Sequence, residues 1–412
     1  MNYVISPPEK AVQDTIYLPS SKSISNRVQI INALSEKRAT LQHLSDSDDT
    51  RYMQQALASD SALKELGHAG TAMRFLTAYY SVQEGTVTLT GSERMKQRPM
   101  GPLIEALRKL GARIECLEKE GYPPVKITGG KTSGGTVEIE GGVSSQFISA
   151  LMMVGPLLKG GLKLILTGRI VSETYIRMTL ALMKEAGIAA AFDGRHITVP
   201  QGAYRLGAYR VEPDWSAASY WYQVAALAPG SKVKLPYLKR ESIQGDAIVA
   251  AIFNTLGVTT LFQEGGVELR SGSPAGRNLF KFDFLRAPDL VQTCVVGCCA
   301  LGVPFHFTGT STLRIKETDR IAALQAELGK AGFTIQSDPK GDSISWDGVR
   351  RAPSGRPVIR TYHDHRMAMA FAPLSKLLGE IAIEDPGVVT KSYPGYWDDL
   401  KKAGFAVREA GE

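Results

Sequence analysis

Amphipathic stretches that end in glycine, each followed by two short alternating stretches with a turn between them, recur along the chain. The copies read LIEALRKLGARIECLEKEGYPPVKITGG, TLALMKEAGIAAAFDGRHITVPQG, IVAAIFNTLGVTTLFQEGGVELRSG and IAALQAELGKAGFTIQSDPKGDSISWDG, with a partial copy, LKKAGFAVREAGE, at the end of the sequence. Apolar residues at three- and four-residue spacing put each helix's oily side on one face. Gly111, Gly187, Gly257, Gly332 and Gly404 stand just past the last turn, where a left-handed residue closes a helix. The alternation after each one predicts half-buried strands, and the tight turns predict antiparallel or mixed pairing.

The five glycines lie about 70–76 residues apart. That is too long for a solenoid repeat of ~20–50 residues and fits a multi-element α/β unit used several times. A second helical segment falls between copies, as in SSQFISALMMVGPLL, SAASYWYQVAALA and DHRMAMAFAPLSKLLG. A further copy belongs near the start, with its helix in RYMQQALASDSALKELGHAG, but no hairpin comes after it. The first unit is therefore read as truncated, by about 20 residues.

Composition narrows the class. With 412 residues, 43% apolar and 22% charged, the chain is a globular protein of two or three domains. A net charge of +7 favours acidic partners, either a nucleic-acid backbone or small phosphorylated and carboxylated substrates. Cys116, Cys294, Cys298 and Cys299 are too few for a disulfide framework, and the last three sit in an apolar run without a nearby histidine, as buried small residues. No basic cluster with an apolar stretch opens the sequence, and no apolar run reaches the ~20 residues that span a bilayer. The expectation is a cytoplasmic protein.

Three segments gather cations with hydroxyl or small residues. In LPSSKSISNR, Lys22, Ser23 and Arg27 fall at a helix start, which suits a phosphate or carboxylate. In RIKETDRI, Lys316, Glu317, Asp319 and Arg320 open a helix, the two cations running against its dipole. In TYHDHRMAMAFA, Asp364, His365 and Arg366 precede an almost wholly apolar helix, while His363 and His365 lack the further ligands of a zinc site. ITGGKTSGG is no nucleotide loop, because Val125 stands where its first glycine is needed, and neither GxGxxG after a strand nor GxSxG occurs.

Together with GHAGTAMRFLTA, MKQRPMGPLIEALRKLGA, VSSQFISALMM and DPGVVTKSYPGYW, these segments closely resemble the 5-enolpyruvylshikimate-3-phosphate synthase family, in that family's order and from residue 18 to residue 397. The resemblance implies an α/β fold, a two-domain inverse α/β barrel of six βαβαββ-type units with helices inside. One domain would span residues 20–211 and the other 1–19 with 212–412, and the active site would lie in the cleft between them. It implies a transferase that moves the enolpyruvyl group of phosphoenolpyruvate to the 5-hydroxyl of shikimate 3-phosphate. That reaction belongs to the shikimate pathway to chorismate and the aromatic amino acids. Such an enzyme uses no metal or organic cofactor, binds neither nucleic acid nor membrane, works as a monomer and is a glyphosate target.

By the same resemblance, Lys22, Gly70, Arg98, Gln146, Arg320, Arg366 and Lys391 surround phosphoenolpyruvate. Lys22, Ser23, Arg27, Ser144, Ser145, Gln146, Ser172, Tyr175, Asp289 and Lys316 contact shikimate 3-phosphate. Asp289, Glu317 and Lys22 are the groups that move protons, their individual steps left open. Hydroxyls and an amide suit a polyol ring, and arginine suits a carboxylate or phosphate. The sequence departs from the family at His68 (usually Asn), Phe75 (usually Pro), Thr312 (usually Asn) and the missing hairpin. The sister transferase that acts on UDP-N-acetylglucosamine has a loop cysteine, and here the stretch before Cys116 offers none. A nucleic-acid binder lacks support from any polybasic tract, and a catalytically silent relative is disfavoured because the charged site residues are all present.

Overall fold

The computed structural model describes residues 1–411 apart from 143, 274, 275, 277 and 354; Val143, which opens the VSSQ segment, is thus outside the described residues. By its packing the chain divides into two compact units, Ser20–Glu212 and Met1–Pro19 with Pro213–Glu412. The chain thus passes from one unit to the other twice, after Pro19 and after Glu212.

Five of the described sheets have four strands in one common arrangement. In the first of them Leu63–Glu65 runs parallel to Thr86–Thr90, which is antiparallel to Val125–Thr128, itself antiparallel to Arg113–Cys116. The sheet built on Gly135–Glu140 and Leu162–Thr167 repeats this order, as do three sheets in the other unit. Parallel neighbours need a crossover, which a helix supplies in four of these sheets, while Gln13–Thr15 meets Lys232–Pro236 only after the chain has passed through the other unit; the antiparallel pair is a turn-linked hairpin except where Asn2–Ser6 meets Ala406–Glu409 from the other end of the chain. The sixth sheet holds only Leu41–Gln42 parallel to Tyr209–Arg210. It keeps the crossover pair and lacks the hairpin.

The sequences of the helices explain why they lie inside. Gly70–Val82, Ser145–Val154, Trp215–Leu227, Val291–Leu301 and His365–Phe371 are buried nearly all round and carry almost no charge. The second helix of each unit, such as Gly101–Lys109 or Arg320–Lys330, is amphipathic and buries one stripe. Strands such as Val125–Thr128 and Leu162–Thr167 alternate buried and exposed residues, so each sheet turns one face to water.

The five glycines close helices as their position predicts, with φ of +92° at Gly111, +87° at Gly187, +90° at Gly257, +90° at Gly332 and +89° at Gly404. The next amide then reaches back to a carbonyl of the last turn, as Ala112 N–H does to Leu107 at 3.0 Å and Phe333 N–H to Leu328 at 3.0 Å.

Two local expectations need correction. The helix read into RYMQQALASDSALKELGHAG stops at Ala58, and Leu63–Glu65 is a strand, because the backbone of Thr86–Thr90 offers it a parallel partner. The helical run in residues 365–378 is broken into His365–Phe371 and Ser375–Leu378 by a tight turn, Ala372–Leu374, around Pro373, which lacks an N–H to continue the ladder.

Candidate active site

In the unit Ser20–Glu212, Ser21 caps the helix Lys22–Leu34 and leaves Lys22 on its first turn. The Lys22 ammonium lies 3.9 Å from Asp49, which is buried. The other Asp49 oxygen accepts the Thr71 N–H at 3.0 Å, in the first turn of the helix Gly70–Val82, and the Gln146 amide donates to the Thr71 hydroxyl at 3.2 Å. One buried carboxylate therefore spaces Lys22 from the Gly70 turn, with Gln146 beside it. Asp48 faces His68 at 3.4 Å, so this histidine has an acidic neighbour.

Gly70 has a steric reason. A Cβ built there would collide with the Arg98 guanidinium and come within 2.8 Å of Arg74 NH1. The missing side chain is what lets two cations crowd the helix N-terminus, whose Thr71 and Ala72 N–H groups Asp49 already accepts. Arg27 is fully engaged: Nε donates to Thr179 at 2.8 Å, Nη2 to Ser149 at 3.0 Å and Nη1 to the Ser23 carbonyl at 2.9 Å. Its guanidinium lies between the rings of Phe75, at 5.2 Å, and Tyr175, at 5.6 Å. Burial pulls Arg27 down to about 10, with Tyr175 opposing that shift. Ser144 caps the helix that begins at Ser145, and Ser172, in the left-handed region with φ +56°, precedes the helix carrying Tyr175.

In the unit Met1–Pro19 with Pro213–Glu412, side chains from separate stretches converge. Asp319, not Lys316 or Glu317, caps the helix Arg320–Lys330, and its carboxylate accepts the Ile321 and Ala322 N–H groups. Lys316 and Glu317 precede that helix in a turn, so they do not open it as the pattern alone suggests. Arg320, only 1% exposed, meets Asp364 at 2.6 Å, Glu317 at 2.9 Å and Asp289 at 3.3 Å. Asp289 also pairs with Arg366 at 3.1 Å, and Glu317 with Lys391 at 2.9 Å. Burial works against the charge on Arg320, but Asp364, Glu317 and Asp289 outweigh it and hold the group fully protonated. Burial pulls Lys316 below the ordinary lysine range, Asp289 opposing and Arg320 adding to the shift. Reciprocal ion pairs of this kind hold cations and carboxylates at fixed spacing before any ligand arrives.

Sequence reasoning gave no role to Asp364, which it placed only in a charged cluster, and left out Asp49 and Asp246. Asp364 holds Arg320 and caps the helix bearing Arg366, whose N–H it accepts at 2.9 Å. Asp49 gives no sequence signal because its partners, Lys22 and Thr71, are each more than twenty residues away. Asp246 is buried against the Ser216 hydroxyl, and burial together with the Asp289 charge raises it to about 7. The three cysteines of the apolar run are buried, and burial pushes their thiols up, so they serve packing. Among the described residues no helix is long and apolar enough to cross a membrane.

This arrangement extends over a chain whose sequence matches the family model of EPSP synthase (3-phosphoshikimate 1-carboxyvinyltransferase) at residues 7–59 and 54–400. The chain belongs to the EPSP synthase family. It is 50% identical to the 3-phosphoshikimate 1-carboxyvinyltransferase of Bacteroides fragilis, over the whole of both chains. It is 37% identical to that of Vibrio atlanticus, covering 96% of this chain and 97% of the relative. The solved EPSP synthase of Acinetobacter baumannii superposes with a TM-score of 0.78 at 22% identity, over 99% of this chain and all of the other. The fold is therefore the two-domain α/β fold of EPSP synthases. Phe75 is fully buried beside Arg27, and Thr312 is buried in the turn Ser311–Ile315.

Proposed function

We propose that the two groups of residues, one in each unit, act on the same pair of substrates, each unit supplying part of the binding groups. The reaction is transfer of the enolpyruvyl group of phosphoenolpyruvate to the 5-hydroxyl of shikimate 3-phosphate, with release of phosphate. The observation that carries the reading is the cluster of Asp289, Glu317, Arg320, Arg366 and Lys391. Four separate stretches of chain deliver it, and its cations match two substrates that each bear a phosphate and a carboxylate.

Lys22, Arg98, Arg320, Arg366 and Lys391, with the Gly70 turn and Gln146, hold phosphoenolpyruvate. Ser23, Arg27, Ser144, Ser145, Gln146, Ser172, Tyr175, Asp289 and Lys316, again with Lys22, hold shikimate 3-phosphate. Arginine forks meet planar carboxylates and phosphates, while hydroxyls and the Gln146 amide meet the ring hydroxyls.

The addition step removes the proton of the 5-hydroxyl and delivers one to the methylene carbon of phosphoenolpyruvate. The oxygen bonds to C2, giving a tetrahedral adduct. Elimination then takes a proton back from the resulting methyl group and breaks the C2–O bond to phosphate, which leaves with the proton first taken from the 5-hydroxyl, so the acid of the first step is the base of the second. Asp289, Glu317 and Lys22 are the groups assigned to these transfers. Asp289 lies between Arg320 and Arg366, and Glu317 between Arg320 and Lys391. The fixed cations beside these carboxylates stabilise charge on the phosphate that leaves, without reorganisation of solvent.

The test is phosphate release from phosphoenolpyruvate with shikimate 3-phosphate and UDP-N-acetylglucosamine compared as acceptors. Release with the first acceptor alone is expected. Release with UDP-N-acetylglucosamine alone would overturn the reading.

A further inference from the structure

Glu327 is a fully buried carboxylate that no step of the proposed reaction employs. It lies two turns along the helix Arg320–Lys330 from Arg320 and therefore on the same face. Oε1 accepts the Tyr362 hydroxyl at 2.7 Å, and Oε2 accepts the Arg360 N–H at 3.0 Å and the Lys330 ammonium at 2.5 Å. Lys330 reaches on to the Val358 carbonyl at 2.9 Å. The carboxylate thus gathers donors from its own helix and from the stretch that leads out of the strand Val358–Ile359. Burial, with Glu327 alongside, pushes the Tyr362 phenol up to about 12, so it remains a donor.

The turn that continues from this stretch is strained. Tyr362 and His363 sit in succession in the left-handed region, with φ of +54° and +56°. Non-glycine residues adopt this region only when their surroundings hold them there. The next residue is Asp364, which grips Arg320 and caps the helix that begins with His365 and Arg366. The helix of Arg320 therefore holds the strained turn at both ends, through Asp364 on one side and Glu327 on the other.

We propose that Glu327 is a positioning residue, which clamps residues 358–362 to the helix bearing Arg320 and so sets where Arg320 and Arg366 present their guanidinium groups to phosphoenolpyruvate. The inference rests on the reading of those two arginines as phosphoenolpyruvate ligands. A glutamine at 327 keeps the shape but removes the charge: with its carbonyl oxygen toward the Arg360 N–H and the Lys330 ammonium, its N–H₂ faces the Tyr362 hydroxyl, and the charge-assisted bond to Lys330 is lost in either orientation. The turn then relaxes and the arginines shift.

Steady-state kinetics, with each substrate varied at saturation of the other, reads the effect. Glu327→Gln is expected to raise the KM for phosphoenolpyruvate about tenfold and to leave that for shikimate 3-phosphate within about twofold, a tenfold change being ~1.4 kcal/mol. Tyr362→Phe removes one bond of the clamp and is expected to raise the same KM by about threefold, with the fold intact. It decides the matter if Glu327→Gln fails to fold. Unchanged KM values with only a lowered melting temperature, or equal rises for both substrates, would overturn the clamp. Arg366→Gln separates the two layers. If it raises the phosphoenolpyruvate KM while both clamp variants do not, the clamp alone is wrong; if it does not, the ligand reading falls and the clamp with it.

Discussion

Asp289 and Glu317 each neutralise two cations, and that decides how their substitution reads out. Asp289→Asn and Glu317→Gln remove a proton acceptor while freeing Arg320, Arg366 or Lys391 for an anionic substrate. Turnover is expected to fall by about 10²–10⁴ with KM for phosphoenolpyruvate unchanged or lower. Near-normal turnover with a raised KM would show that neither carboxylate moves a proton. At Gly70 the expectation is steric. Glyphosate should compete with phosphoenolpyruvate, and Gly70→Ala, whose methyl group meets Arg98 and Arg74, should weaken the longer inhibitor more than the substrate. Inhibition constants for both proteins at fixed shikimate 3-phosphate check this. Asp246 gives a pH effect. Its carboxyl is raised to about 7, so the folded chain keeps a proton that the unfolded chain releases near its ordinary value of 3.8. Stability attributable to Asp246 is therefore greatest at low pH and is lost as the pH rises toward 7. In urea titrations Asp246→Asn should gain more over the parent at pH 8 than at pH 5.

At the scale of elements, the glycine caps separate two costs. Gly187 and Gly111 share the left-handed conformation and the same unit, but a Cβ at Gly187 enters open space while one at Gly111 comes within 2.9 Å of the Lys131 carbonyl. Gly187→Ala is expected to cost about 1–2 kcal/mol, the penalty of the backbone conformation alone. Gly111→Ala should cost more, and urea midpoints of the two variants measure the difference. These caps were legible because a helix end is written within a few residues: apolar spacing, then a glycine. Leu63–Glu65 was not. The run ALKEL satisfies a helical pattern as well as a strand, and the free backbone edge of Thr86–Thr90, more than twenty residues on, makes it a strand.

For the molecule as a whole, the proposed site draws on cations carried by two separately folded units. A ligand engaging both sets links them and restricts their relative freedom. Small-angle scattering is expected to show a smaller radius of gyration with shikimate 3-phosphate at saturation. An unchanged value would count against a shared substrate. The sheet that lacks its hairpin has a different logic. Leu41–Gln42 pairs with Tyr209–Arg210, so the strand that completes it comes from the far end of the same unit.

The sequence by itself determined the features whose causes are local. These are the five capping glycines, the split between wholly apolar and amphipathic helices, the repeated unit, and the charged segments at Lys22, Arg320 and Arg366. Each depends on a stretch of chain short enough to carry its own signal. Only the tertiary structure decided which carboxylates hold those cations. Asp49 reaches Lys22 and Thr71, Asp364 reaches Arg320, and Glu327 reaches Arg360 and Tyr362. A lone aspartate or glutamate looks the same in sequence whether it is solvated or buried. Its role is set by donors that folding brings from elsewhere, because a buried charge persists only where such partners meet it.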